Sequence, residues 1–248
     1  MPVTNAQTGT RIDEIGDGIY RISTPVPPNP ALPAGFTFNQ FLIVDDEPLM
    51  FHLGLRKLFP LVREAMATVM PVEKLRWLSF SHFEADECGS LDEWLAVAPS
   101  SAPLCGMIGG MVSVADVSNR PPRMLADGEA MTIGTKTVRW HDTPHVPHGW
   151  DAGLLSETTT RTLFCGDLFT QPGAKHAPVT EGDVLGPSLA MRAAMDYFSN
   201  PAAASARIEQ LAATEPTLLA CMHGASYRGN GAAALRELSS SLVADAIR

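Results

Sequence analysis

The sequence predicts an α/β protein in which two mixed β-sheets pack face to face with helices on the outside. Three observations support this fold class. The composition, 45% hydrophobic and 18% charged, supplies enough apolar material for a core. Segments with strand patterns followed by segments with helix patterns occur twice along the chain, which is the order that two helix-covered sheets require. The residues suited to chemistry follow directly after predicted strands, as expected of loops on a rigid scaffold.

The first half of the chain alternates between strand and helix patterns. Ile19 and Ile22 indicate a strand at 18–24, and five prolines between positions 24 and 33 predict a stiff surface loop. An acidic turn at 45–47 joins two further strands into a hairpin. Apolar residues at helical spacing or in short buried runs define the other elements. These are helices at 58–70, 89–98 and 108–117 and strands at 41–45, 48–52 and 75–80.

The second half starts with strands and ends with helices. Glycine turns interrupt a strand-rich stretch at 124–165. The aperiodic, Gly- and Pro-rich segment 169–185 predicts a long functional or mobile loop. Asn200 as N-cap and Pro201 at the first helical position predict a helix that runs to residue 213. The remaining elements are strands at 138–141, 154–157, 163–165 and 217–220 and helices at 189–197 and 232–247.

Length and charge narrow the class of protein. We expect the 248 residues to form a single domain, 1–248. The net charge of −9 argues against a nucleic-acid partner, and no run of 18 apolar residues predicts a membrane helix. Residues 1–18 lack the apolar region of a secretory signal, so we expect a cytoplasmic protein. The four scattered cysteines are expected to be reduced thiols. They are Cys88, Cys105, Cys165 and Cys221.

The densest group of chemical side chains follows the predicted strand at 75–80. The run Ser81-His82-Phe83-Glu84-Ala85-Asp86-Glu87-Cys88-Gly89 holds one imidazole and three carboxylates within six positions. Carboxylates this close repel one another unless a cation neutralises them or solvent separates them. For this segment alone, a metal site and a solvated acidic turn remain equally good interpretations.

Three later strand ends favour the metal site. His145 and His148 follow one strand, Asp167 follows another, and His223 follows the last. Imidazoles and carboxylates in this number suit two adjacent cations, with one carboxylate bridging both.

The four segments together resemble the flavodiiron branch of the metallo-β-lactamase superfamily. That branch carries His-x-Glu-x-Asp-His-x-Gly, where this chain has His-x-Glu-x-Asp-Glu-x-Gly starting at His82. The intervals between the four segments are also close to those of the branch, and the resemblance covers nearly the whole chain. The other matching segments are His148-Gly-Trp-Asp151, Leu163-Phe-Cys-Gly-Asp167 and His223-Gly-Ala-Ser-Tyr-Arg228.

The resemblance implies an αββα sandwich and a site for two iron ions, with two zinc ions as the alternative. Glu84 stands where the zinc hydrolases have histidine, and its hard oxygen favours iron, although zinc also accepts carboxylates. The family's pattern assigns six metal ligands in this sequence. These are His82, Glu84 and His148 for the first iron, Asp86 and His223 for the second, and Asp167 as the bridge.

Two departures separate this chain from the flavodiiron reductases. Glu87 stands where the branch has a histidine ligand of the second iron, so either this carboxylate binds the metal or a coordination position stays open. No flavodoxin or rubredoxin domain is expected within 1–248, and therefore no FMN bound by this chain. In these respects the chain looks more like the stand-alone oxygen-binding diiron proteins.

Three functions from different classes follow. The first is a diiron protein that binds O2, or NO, for sensing or for reduction with an external electron donor or signalling partner. The second is a metal-dependent hydrolase that uses a metal-bridging hydroxide. The third, an interaction module without metals, is disfavoured by the intact ligand set. Glu84 favours the first function. The sequence leaves open whether the chain forms a homodimer.

Several other residues have weaker assignments. We expect His145 to reach the pocket. Asp151 either orients His148 or stabilises a turn, and Tyr227 and Arg228 line the pocket or lie at the surface. Structural roles are expected for His52, which its strand could also direct at the site, and for His141 and His176. The anionic neighbours of Cys88 should raise the pKa of its thiol and reduce its reactivity.

Overall fold

The structure, a computed structural model, describes residues 3–246, and this part of the chain contains two β-sheets. The strands of the first sheet are β1 (Val3–Asn5), β2 (Thr10–Gly16), β3 (Ile19–Val26), β4 (Phe36–Ile43), β5 (Leu49–Phe51), β6 (Trp77–Ser79), β7 (Ala102–Gly106) and β8 (Arg123–Leu125). Those of the second sheet are β9 (Ala130–Thr132), β10 (Thr137–Asp142), β11 (Gly153–Glu157), β12 (Thr162–Phe164), β13 (Val179–Thr180), β14 (Leu218–Ala220) and β15 (Ser226–Arg228).

Helices connect the strands and cover both sheets. The α-helices are α1 (Phe59–Ala67), α2 (Ala85–Cys88), α3 (Leu91–Val97), α4 (Met107–Gly109), α5 (Ala115–Val117), α6 (Leu185–Ala194), α7 (Pro201–Ala212) and α8 (Gly231–Ala246). A π-helical turn, Gly110–Val114, joins α4 to α5, and short 3₁₀ turns occur at Arg56–Leu58 and Val72–Lys74.

Both sheets are mixed. The first has strands in sequential order from β1 to β8, antiparallel up to β5 and parallel from β5 to β8. The second has the order β13-β15-β14-β12-β11-β10-β9, and its central pair, β12 and β14, is parallel. Because β12 and β14 run in the same direction, their carboxyl ends lie at one edge of the sheet.

Alternating side chains in the strands build the layers. In β4, Phe41 and Ile43 pack between the two sheets, while Leu42 packs against the helices outside the first sheet. In β12, Phe164 lies between the sheets and Leu163 faces α7 and α8. This two-residue period produces a helix–sheet–sheet–helix arrangement. The predicted α/β class with two mixed sheets and outer helices is confirmed.

The structure differs from the sequence prediction mainly at element boundaries. The strands β1, β2, β7, β13 and β15 were not predicted, β13 lying within the predicted loop 169–185, and α6 begins and ends several residues before the predicted helix at 189–197. Pro25, expected in a loop, lies in β3 opposite Thr37. It is tolerated because β2 pairs with β3 only as far as Ser23, so this side of Pro25 needs no backbone N–H.

None of the helices within 3–246 combines the length and the apolar character needed to cross a membrane. The predicted last helix residue, Ile247, lies outside the described residues.

Candidate metal centre

Four connections bring the predicted ligands to one edge of the sandwich. The loop between β6 and α2 carries His82 and Glu84, and α2 itself carries Asp86. His148 lies in the connection from β10 to β11, while Asp167 and His223 follow the parallel strands β12 and β14. All six residues assigned from the sequence therefore lie in a single cluster, which we call the strand-end cluster together with Glu87.

One side of the strand-end cluster is formed by two imidazoles and a carboxylate. The Nε2 atom of His148 lies 3.3 Å from Glu84 Oε1, and the Nε2 atom of His82 lies 3.7 Å from Glu84 Oε2. The two rings meet edge to face, with centroids 4.5 Å apart. Two ligand atoms that share one metal ion at about 2.1 Å lie roughly 3.0–3.5 Å apart, so these distances fit a common cation with small adjustments.

The opposite side contains His223 and Asp86. The Nε2 atom of His223 lies 3.5 Å from Asp86 Oδ2. The His223 ring stacks on Phe36 with centroids 4.2 Å apart, and Phe38 meets it edge-on. These aromatic rings cover the ring of His223, which is buried, whereas the side chain of Asp86 is 23% exposed.

Asp167 lies between the two sides and faces both. Its Oδ2 atom is 3.8 Å from His82 Nε2 and 3.6 Å from His148 Nε2, whereas its Oδ1 atom is 3.2 Å from His223 Nε2. Each carboxylate oxygen is thus directed to a different set of imidazoles. This is the geometry expected of a carboxylate that bridges two cations.

Glu87 is the most deeply buried carboxylate of the cluster. It is fully buried, and neither of its oxygens has a hydrogen-bond partner among the described residues. Its ligand atoms can form one group with His82 and Asp167 and another with Asp86 and His223. Since an ionised carboxylate is rarely buried without a partner, this position suits a metal ion.

Hydrogen bonds from the far side of each ring orient the three imidazoles. His148 Nδ1 lies 2.8 Å from the carbonyl oxygen of Tyr197, and His223 Nδ1 lies 2.7 Å from that of Thr37. A donor bond from Nδ1 to a carbonyl leaves Nε2 free to bind a metal. His82 Nδ1 contacts the hydroxyl of Ser81 at 3.0 Å instead.

The charges of the cluster shift the pKa values of its members in opposite directions. The contact with the His148 ring, and after it the nearby His82 ring, lowers the pKa of Glu84 to about 2. Burial alone would lower the pKa of His148, but Glu84 and Asp167 raise it to about 9. Burial, and after it the charges of Asp167 and Asp86, raises the pKa of Glu87 well above its usual range. In the metal-free protein, protons therefore occupy positions that cations would take.

We expect Glu87→Gln to stabilise the metal-free protein, and more so at pH 8 than at pH 5. Folding raises the pKa of Glu87 above its value in the unfolded chain, which is roughly 4.3. Above that pH the unfolded chain must take up a proton at Glu87 to fold, and the free-energy cost of this uptake grows with pH. Glutamine removes it. The gain should therefore grow with pH by up to about 1.4 kcal/mol per pH unit above the unfolded pKa, measured by thermal unfolding at several pH values in the presence of EDTA.

Glu157 provides the matched control. This carboxylate is also fully buried, but the backbone N–H groups of Thr159 and Thr160 each donate to it at 2.8 Å. Despite burial, these bonds lower its pKa, so Glu157→Gln should destabilise the protein. Equal shifts in the two variants, or a Glu87→Gln effect that does not depend on pH, would contradict the interpretation.

The weaker sequence assignments have mixed outcomes. The structure does not bring His145 into the strand-end cluster: its side chain is exposed, and it is not among the candidate metal groups of the described residues. Asp151 does not orient His148. Its Oδ2 accepts a hydrogen bond of 3.0 Å from the backbone N–H of Phe83 and so holds the loop that carries His82.

Other side chains lie where the more conservative predictions placed them. Arg228 donates to the carbonyl oxygen of Ile15 at 2.6 Å, away from the cluster. Burial, followed by Asp151 and Asp86, raises the pKa of Cys88 to about 12, in the predicted direction. His52, expected to be structural, is fully buried and contacts Ser81 next to the cluster.

A two-sheet sandwich with helices outside and with imidazoles and carboxylates at its strand ends is what the resemblance to the metallo-β-lactamase superfamily implies. Residues 36–224 match the family described as ODP family beta lactamase, and the chain belongs to that family. The predicted superfamily and its flavodiiron branch are confirmed.

Curated and solved relatives agree with this placement. Rubredoxin-oxygen oxidoreductase of Megalodesulfovibrio gigas is 24% identical over 207 residues, which are 79% of this chain and 50% of the relative. The chain thus spans about half the length of that curated relative.

Two solved structures share the fold. Rubredoxin oxygen:oxidoreductase from Desulfovibrio gigas has a TM-score of 0.82 at 21% identity and covers 94% of this chain and 61% of its own. A mutant of the flavo di-iron protein from Thermotoga maritima has a TM-score of 0.83 at 16% identity. The match covers 95% of this chain and 62% of the mutant's chain.

Proposed function

We propose that this chain binds two iron ions at the strand-end cluster and reacts there with O2, or with NO, receiving further electrons from an external donor. The observation that carries the proposal is the set of buried ligand atoms without partners. Among the described residues, His82 Nε2, Asp167 Oδ1 and both Glu87 oxygens have no hydrogen-bond partner, although all are buried. Unpaired buried polar atoms that converge from two connections fit metal ions better than a packed core.

The distances support one assignment of ligands. His82, Glu84 and His148 hold one iron, and Asp167 bridges to the other. The second iron takes Asp86, Glu87 and His223, which lie close enough to share an ion. In this assignment the Glu87 carboxylate occupies the position that the branch's histidine would fill.

The chemistry of the donors favours iron over zinc. Four carboxylates balance the four positive charges of two divalent ions, and hard oxygen donors stabilise the trivalent state that zinc cannot reach. The names of the relatives, a rubredoxin-oxygen oxidoreductase and a flavo di-iron protein, support oxygen as the substrate and iron as the metal.

The residues around the cluster determine how a small ligand reaches it. When bound, two ferrous ions can each supply one electron to a diatomic molecule. The side chain of Glu84 is 51% exposed and that of His148 is 22% exposed, whereas that of Asp167 is only 9% exposed. A small ligand approaches most readily from the side of Glu84, the most exposed of these side chains. Phe36 and Phe38 cover the ring of His223, while the side chain of Asp86 next to it is 23% exposed.

We expect His148→Ala and His223→Ala to lose metal while the fold survives. Removing a ligand costs more than the 10–100-fold loss of affinity that is usual for residues behind the ligands. Elemental analysis of anaerobically iron-loaded protein should give two iron ions per wild-type chain and clearly fewer in each variant, with circular dichroism unchanged.

His141→Ala is the matched control for these two variants. His141 is another half-buried imidazole, bonded to Ser156 Oγ at 2.8 Å, and it is not among the candidate metal groups of the described residues. It should retain two ions. Full occupancy in His148→Ala or His223→Ala would show that the ligand assignment is wrong at that position.

A further inference from the structure

His52 is a fully buried histidine behind the strand-end cluster, and the proposed ligand set does not include it. It follows β5 with a backbone φ of 61°, a left-handed conformation that is uncommon for residues other than glycine. Its backbone N–H donates to the carbonyl oxygen of Ser79 at 2.9 Å, and its ring lies 4.4 Å from that of Phe51. An unusual backbone in a packed site indicates that the ring is held where it is needed.

A short hydrogen-bonded chain connects His52 to a metal-facing imidazole. His52 Nε2 lies 3.1 Å from Ser81 Oγ, and Ser81 Oγ lies 3.0 Å from His82 Nδ1. All three side chains are buried. On the other side of its ring, His82 directs Nε2 at Glu84, Glu87 and Asp167.

His82 differs in this respect from the other two imidazoles. His148 and His223 each bond a backbone carbonyl, which can only accept and therefore fixes the proton on Nδ1. The hydroxyl of Ser81 can donate or accept, so by itself it fixes nothing. On its far side the hydroxyl contacts His52 Nε2, which can accept when the proton of His52 lies on Nδ1, an atom buried without a hydrogen-bond partner among the described residues.

We propose that His52, acting through Ser81, is a positioning residue that accepts the hydrogen-bond chain from His82 and so orients the His82 ring for metal binding. This inference rests on the proposed function, because it assumes that His82 binds a metal through Nε2. With metal on Nε2, His82 Nδ1–H donates to Ser81 Oγ, and the Ser81 hydroxyl donates to His52 Nε2. His52 is then neutral with its proton on Nδ1.

The opposite direction of the chain is incompatible with metal binding. If His52 Nε2–H donated to Ser81, the hydroxyl would donate to His82 Nδ1 and the proton of His82 would lie on Nε2. That proton would point at the space between Glu84 and Asp167 where the metal belongs. Burial lowers the pKa of His52 to about 3, so a doubly protonated ring, which could only donate, does not compete at neutral pH.

Two substitutions break the chain at different points. His52→Phe keeps the aromatic ring and removes the acceptor, and Ser81→Ala removes the hydroxyl. Each should weaken metal binding by about 10–100-fold, the usual loss when a partner behind a metal ligand is removed. Competition with a chromophoric chelator, using Zn²⁺ as the probe, measures the affinity.

The double variant and a conservative variant distinguish positioning from simple destabilisation. Because His52 and Ser81 act through the same hydrogen-bonded chain of side chains, the double variant His52→Phe with Ser81→Ala should bind zinc no worse than either single variant. His52→Gln, whose amide oxygen can accept from Ser81, should recover part of the affinity. Losses that add, or no recovery with glutamine, would mean that the variants only damage packing.

The pair His141 and Ser156 is the matched control. It contains the same two side chains in hydrogen-bond contact at 2.8 Å, but neither is among the candidate metal groups of the described residues. His141→Phe and Ser156→Ala should leave the zinc affinity unchanged. Equal losses in both pairs would overturn the proposal.

Nitrogen-15 NMR of the zinc-loaded wild-type protein tests the tautomer without any substitution. We expect the shift of His52 Nε2 to be that of an unprotonated acceptor and the shift of Nδ1 that of a protonated nitrogen. A protonated Nε2 in the loaded protein would overturn the proposal even if the variants failed to fold. If the wild-type protein bound no metal at all, the proposed function would fail first, which is a separate result.

Discussion

Asp167→Asn should deprive the protein of both metal ions, the largest effect expected of any single substitution. One oxygen of Asp167 faces His82 and His148 at 3.8 and 3.6 Å, and the other faces His223 at 3.2 Å. Asparagine keeps the shape but offers one weak oxygen and an amide that cannot bind a cation. It also removes a negative charge that both ions share. Elemental analysis of iron-loaded protein should give well under one ion per chain.

Glu87→Gln is the comparison for this experiment. In the proposed assignment Glu87 binds only the second iron, so its loss should leave the ion held by His82, Glu84 and His148. We expect about one ion per chain in this variant and an unchanged circular dichroism spectrum in both. Equal and mild losses in Asp167→Asn and Glu87→Gln would mean that Asp167 does not bridge the two sites.

The sequence predicts those parts of the fold that local patterns determine. The hairpin around the acidic turn at 45–47 appears as β4 and β5 in antiparallel register. Asn200 accepts a hydrogen bond of 3.2 Å from the backbone N–H of Ala203, as its position before Pro201 predicts. In these segments the apolar period and the capping residues depend on neighbours in sequence, so no tertiary information is needed.

Elements that depend on distant partners were missed. In β2, Arg11 and Asp13 alternate with apolar residues and form an ion pair at 2.6 Å, and Asp13 lies opposite the buried Arg21 of β3. A strand whose inner face carries charges looks like a polar surface segment in sequence. Only the pairing with β3 shows that these charges are partnered within the sheet.

The candidate site shows the same division. Spacing and the family resemblance identified six side chains that the structure brings together, because strand ends of a sandwich converge at one edge. Spacing could not show that the side chain of His145 is exposed. Nor could it show the burial of Glu87 or the contact between His52 and Ser81, which depend on packing between separate elements.

The reaction of the reduced, iron-loaded protein with air tests the central claim most directly. Protein reconstituted anaerobically with two ferrous ions should be nearly colourless, and on exposure to O2 it should develop an absorption band in the visible range. Ferric ions bound by carboxylates and imidazoles absorb there through charge transfer, whereas zinc, with a filled d shell, does not. Asp167→Asn, treated in the same way, should stay colourless.

The same sample should hydrolyse generic esters, lactams and phosphodiesters poorly. Zinc-loaded protein provides the comparison, since two zinc ions and a bridging hydroxide are what a hydrolase of this fold would use. A visible band that depends on O2, with two iron ions per chain and little hydrolysis, is the result that the diiron assignment predicts. A protein that purifies with two zinc ions, stays colourless in air after iron loading and hydrolyses these substrates rapidly would contradict it.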